Sequence, residues 1–103
     1  MAITDEELAF ALELFAPLGG ITKRKMMGGA SIYCDGQIFA ILSADGRVFI
    51  KAKGALAAEM AAQGAEKFTM EDGRGMHYWT LPDSALDDPD AASVWGRKAL
   101  DAL

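Results

Sequence analysis

Leu8, Ala11, Leu12 and Phe15 recur at i, i+3, i+4 and i+7, the spacing of one buried face of an α-helix. Directly ahead of them, Thr4 and Glu7 stand in the capping-box relation. In that arrangement a hydroxyl and a carboxylate each satisfy a free backbone N–H at a helix start. Pro17 and the pair Gly19-Gly20 end the periodic run. The pattern therefore predicts a helix over 5–16.

The period then shortens. Ile32 to Cys34, Gln37 to Ser43 and Arg47 to Lys51 are short runs rich in β-branched and aromatic residues, separated by Asp35-Gly36 and Asp45-Gly46. Asp-Gly tolerates the positive φ values of a type I′ turn, so three antiparallel strands in a meander are predicted. Arg47, Phe49 and Lys51 alternate with Val48 and Ile50, which gives the third strand one wetter face.

From Gly54 to Gln63 the residues are good helix formers, with Leu56 and Met60 on one face and Gly64 where a left-handed C-terminal cap belongs. A second hairpin is expected from Glu66 to Glu71 and Met76 to Leu81, around Asp72-Gly73-Arg74-Gly75, with Pro82 as its stop. Asp88-Pro89 supplies a cap and a first-turn proline for a last helix, with Val94, Trp95 and Ala99 as its buried stripe. The expected order is α-β(3)-α-β(2)-α, an α+β fold in two layers with helices on one face of an antiparallel sheet. It fits a single domain over residues 1–103.

Composition narrows the function classes. A 51% hydrophobic content excludes a disordered chain. No run approaches the roughly 18 apolar residues of a membrane span. Thr4, Asp5, Glu6 and Glu7 replace the basic start of a signal peptide. A cytoplasmic location is expected, and the single cysteine agrees with it. The net charge of −5 is uneven: residues 1–20 hold −4, residues 21–53 hold +4 and residues 54–103 hold −5. Only the middle third carries a basic footprint that nucleic acid could use.

Within it, "TKRKMMGG" over residues 22–29 runs three cations into a glycine pair. As a phosphate loop it fails, because it lacks the longer glycine frame ending in Lys-Ser or Lys-Thr. Gly28 and Gly29 instead suggest a bulge or a close backbone approach. Lys23, Arg24 and Lys25, with Gly28 and Gly29, are the candidate contact residues for a protein partner or, less favoured, for nucleic acid. The cations also suit a solvated strand edge, where they discourage aggregation.

Little else suggests catalysis. Cys34 and His77 are single residues far apart in sequence, too few for a zinc site and suited only to an untested nucleophile–base pairing. The acidic groups Glu6-Glu7, Glu71-Asp72 and Asp87-Asp88-Asp90 fall at expected helix starts and turns, where acids stabilise those features. No cofactor, metal or catalytic residue is expected, and the chain is read as a non-enzyme. Among less favoured readings, Cys34, His77 or Tyr78 would serve a small-ligand site or an enzyme of unknown chemistry.

Arg24-Lys25-Met26-Met27-Gly28-Gly29, Ile32-Tyr33 with Asp35-Gly36, Phe39-Ala40 and Val48-Phe49-Ile50-Lys51 together resemble the TfoX/Sxy N-terminal domain family. Gly64 with Phe68, Tyr78 with Leu81-Pro82-Asp83, and Trp95 with Arg97-Lys98-Ala99-Leu100 continue the likeness over roughly residues 6–102. The resemblance implies the same α-β(3)-α-β(2)-α order. It also implies a relation to competence regulators that assist the cyclic-AMP receptor protein and carry a helical C-terminal domain, which is expected to be absent here. It supplies no catalytic residues. Met27 departs from the family's usual phenylalanine, a change that an apolar, flexible side chain accommodates. The expectation is a small regulatory module with a protein partner, possible candidates including the transcription machinery, and with two sheet edges through which a homodimer can form.

Overall fold

Thr4 caps the first helix as its spacing predicts: its Oγ1 accepts the Glu7 N–H at 3.1 Å and Glu7 Oε1 accepts the Thr4 N–H at 2.9 Å. The computed structural model describes residues 3–26, 28–67 and 77–102. Helix α1 (Asp5–Phe15) buries Leu8, Ala11, Leu14 and Phe15, and a short 3-10 turn over Ala16–Leu18 ends at Gly19.

Five antiparallel strands follow in the order β1-β2-β3-β4-β5. They are β1 (Ile21–Met26), β2 (Gly29–Cys34), β3 (Gln37–Leu42), β4 (Val48–Lys51) and β5 (Tyr78–Thr80). The α+β class and the five-stranded sheet stand as expected, but the described strands divide four and one around α2 (Gly54–Ala62). The basic run, whose cations suit a solvated strand edge, lies within β1. It is held by register against the buried strand β2, from Ile21 opposite Cys34 to Met26 opposite Gly29. Of the second expected hairpin, β5 is present and Lys67 bridges to Trp79. Its turn and the rest of its first arm lie outside the described residues.

The two Asp-Gly turns differ. Asp35 and Gly36 have φ of 50° and 84°, the two positive values of the expected type I′ turn. At the second turn only Gly46 has positive φ, 86°. There Gly46 N–H donates to Ser43 O at 2.9 Å and Ser43 N–H to Arg47 O at 2.9 Å, a longer loop that closes on a left-handed glycine.

A register shift between Ile32 and Tyr33 sets Ile32 opposite Ala40 but Tyr33 opposite Ile38. The bulge lets Phe39 and Ala40 both join the helix-side core. Phe39 meets Phe15 edge to face, with ring centroids 5.0 Å apart.

Helix α3 (Pro89–Asp101) packs on the same side. Asp88 Oδ1 accepts the N–H groups of Asp90 and Ala91, as expected of the Asp-Pro start. Its buried stripe is Ala92, Ser93, Gly96 and Ala99. Trp95 is half-buried, but Val94 is 56% exposed and leaves the expected stripe. Small residues are selected because α3 lies close to the rings beneath: a Cβ on Gly96 would meet Leu18 Cδ1 at 2.9 Å and Phe39 Cε2 at 3.1 Å. Helix α2 contributes buried Met60 to the same core, and Gly64 caps it with φ 87°.

Candidate interaction edge

Among the described strands β1 ends the sheet, with β2 as its one neighbour. Thr22, Lys23, Arg24 and Lys25 are all exposed. Their register places Lys23 opposite Ile32 and Lys25 opposite Ala30, both helix-side core residues, and Arg24 opposite Ser31. The alternation of a strand thus sends Lys23 and Lys25 to the helix side and Arg24 to the other. Lys25 Nζ donates to Asp5 Oδ1 at 3.2 Å. That pair is 62% and 94% exposed, so solvent leaves it worth about 0–1 kcal/mol. Among the described residues no ion pair engages Lys23 or Arg24.

The glycine pair shapes the end of this strand. Gly28 turns with φ 84°, and its carbonyl accepts the Ile3 N–H at 2.8 Å. Gly29 is packed so closely that a Cβ there would collide with the Leu42 carbonyl oxygen. The expected close backbone approach is therefore present. All five candidate contact residues lie on the β1–β2 hairpin.

The remaining middle-third cations do not join them. Arg47 and Lys51 flank or end β4, which lies three strands from β1, or about 14 Å at the usual strand spacing. Arg47 is held by Glu66 at 3.1 Å. The sequence segment 21–53 is basic, yet folding divides its charge.

Cys34 and His77 are also kept apart, on β2 and just before β5, with two strands between them. Cys34 is 4% exposed and its Sγ donates to Gly19 O at 3.3 Å. His77 is exposed and precedes the strand instead of lying within it, and its carbonyl accepts the Ala52 N–H at 2.7 Å. Burial pushes the Tyr78 phenol above its usual 10, with Tyr33 adding to the effect. Tyr78 is thereby held in its neutral form. Asp88 and Glu7 cap helices, as expected of their doublets, and the pair at 71–72 lies outside the described residues.

One feature escaped the sequence reading. Phe10, 47% exposed, and Leu86, 37% exposed, line an open groove of about 510 Å³ with Val48 and Leu81. Arg47 and Glu66 border it. The available signal was Phe10 itself, a large apolar residue outside the period of the buried helix face.

Among the described residues no group of three or more His, Cys, Asp or Glu side chains is placed to hold a metal ion, and no helix is long and apolar enough to cross a membrane. The architecture is that of a two-layer α+β domain with an exposed basic sheet edge. The model of the TfoX N-terminal domain matches residues 13–103, and the chain belongs to that family. No curated protein matches it.

Proposed function

We propose that this chain is a competence-regulator-like module that acts through protein contacts and not through catalysis, with the β1 edge as its contact surface. Family membership supports the regulatory reading. The observation that carries the contact surface is the exposure of Lys23 and Arg24 at a sheet edge, with no ion-pair partner among the described residues. Cations held in that state lose little solvation until a partner supplies the counter-charge.

The test is affinity capture from native lysate, with identification of what is retained. A protein retained by the wild type and lost from the Lys23→Gln, Arg24→Gln, Lys25→Gln variant is the expected result. Equal retention by both proteins sinks the proposed surface. An electrophoretic shift with duplex DNA at low salt examines the competing reading. Tight, salt-sensitive binding there would replace a protein partner by nucleic acid.

A further inference from the structure

Asp35 N–H donates to Gly20 O at 3.0 Å, which makes Gly20 and Asp35 a hydrogen-bonded pair at the open end of the β1–β2 ladder. Ile21 stands opposite Cys34, and the register continues without a break to Met26 opposite Gly29. Hydrogen-bonded and non-hydrogen-bonded pairs alternate along an antiparallel ladder. Thr22, Arg24 and Met26 therefore turn their backbone groups toward β2, while Ile21, Lys23 and Lys25 turn theirs away. No backbone group among the described residues takes the N–H or C=O of these three. The edge is thus a docking ladder three residues deep at every second position.

We propose that β1 recruits its partner by strand addition, and that the partner segment is an extended, acidic peptide. This rests on the protein-contact reading above and specifies its geometry. A sixth strand laid beside β1 would pair with Ile21, Lys23 and Lys25 through the main chain, the mode in which backbone bonds supply affinity and side chains supply selection. Selection follows from charge. Lys23 and Lys25 lie toward one face and Arg24 toward the other, so acids at successive positions of an added strand meet a cation on either side. A second copy of β1 would instead bring like charges together, which is destabilising. The same cations that block self-pairing thereby admit an acidic strand.

The probe is a short capped peptide with three successive glutamates between valines, titrated into the whole protein and read by amide chemical shifts and fluorescence anisotropy. Binding is expected with shifts concentrated on Ile21, Lys23 and Lys25, together with slowed exchange of their amide protons. A matched peptide with lysine in place of glutamate should bind at least about tenfold more weakly. A glutamate peptide N-methylated on alternate amides keeps its charge but cannot complete the ladder, and it should lose a similar factor. Equal affinity of methylated and unmethylated peptides would overturn strand addition in favour of charge attraction alone. Tighter binding of a single-stranded oligonucleotide of equal charge, or dimerisation lost on neutralising the three cations, would overturn it too.

A pair of variants separates this proposal from the reading beneath it. Lys23→Gln removes the charge and keeps the outward N–H. Lys23→Pro removes both, at a position where an edge strand tolerates proline because that N–H has no partner in β2. The glutamate peptide should bind Lys23→Pro at least about tenfold more weakly than Lys23→Gln. If the two variants bind it equally while lysate capture still depends on the cations, the contact surface stands and strand addition falls. Should Lys23→Pro fail to fold, the methylated peptide decides the question on the wild-type protein.

Discussion

Strands β1 and β2 are six residues each and face one another at every position, yet they do opposite things. In β2, Ala30, Ser31, Ile32 and Cys34 are all buried. In β1, Thr22 to Lys25 are exposed. The difference arises from sheet order, because among the described strands β2 has neighbours on both sides and β1 on only one. One hairpin thus joins a strand that supports the core to a strand that faces partners. A strand without its own apolar face can be held in place by the one beside it.

The sharpest way to break this contrast is to truncate across one rung. Ile32 is fully buried, and Ile32→Ala should cost about 2–5 kcal/mol in denaturant unfolding. Lys23→Ala, on the facing residue, should change stability by less than about 0.5 kcal/mol. Comparable losses at the two sites would show that β1 carries stability that its exposure does not suggest.

Glycine substitutions test how closely the buried strand and its cover are packed. Gly29→Ala places a methyl group against the Leu42 carbonyl, a backbone atom that cannot swing aside. Gly96→Ala presses on Leu18 and Phe39, whose side chains can give by a few tenths of an ångström. Both should destabilise by roughly 1–3 kcal/mol, with Gly29→Ala the worse of the two. Thermal melts of the pair measure the order.

The Thr4→Ala change comes next. It removes the capping hydroxyl seen on the Glu7 N–H and should cost about 1 kcal/mol, read by helix content and melting temperature.

The smallest effect is expected at the exposed turn between β3 and β4. A hydrogen bond from Ser43 lowers the Asp45 carboxyl below its ordinary 3.8, with the Arg47 backbone N–H and charge adding to it. A depressed folded-state value means stability that is present above the unfolded value and lost as pH falls through the folded one. Wild type and Asp45→Asn should therefore differ slightly in urea midpoint near neutrality and converge in acid. A difference that grows on acidification would contradict this linkage.

Much of the fold was legible because its signals are local. Thr4 with Glu7, Asp88 with Pro89, and Asp35-Gly36 each close hydrogen bonds within a few residues, so their meaning does not depend on distant chain. Val94 was misplaced for the opposite reason. Helical period alone nominates several large residues, but the nearness of Phe15 and Phe39 admits only small ones at the contact. The candidate site was half legible. The cations at 23–25 and the glycines at 28–29 stood out, whereas the outward backbone groups of Ile21, Lys23 and Lys25 follow from a ladder phase that no residue type encodes.

By itself, the sequence determined the helix starts, the first Asp-Gly turn, the α+β class and the family resemblance, since each depends on side chains near one another along the chain. Tertiary structure decided that the basic run pairs with β2 as a fourth strand ahead of α2, and that Arg47 and Lys51 stand apart from it. Strand pairing brings together residues distant in sequence, and its order is set by which surfaces bury one another. A run of cations has no apolar pattern with which to announce its place, so its role was assigned by its neighbour.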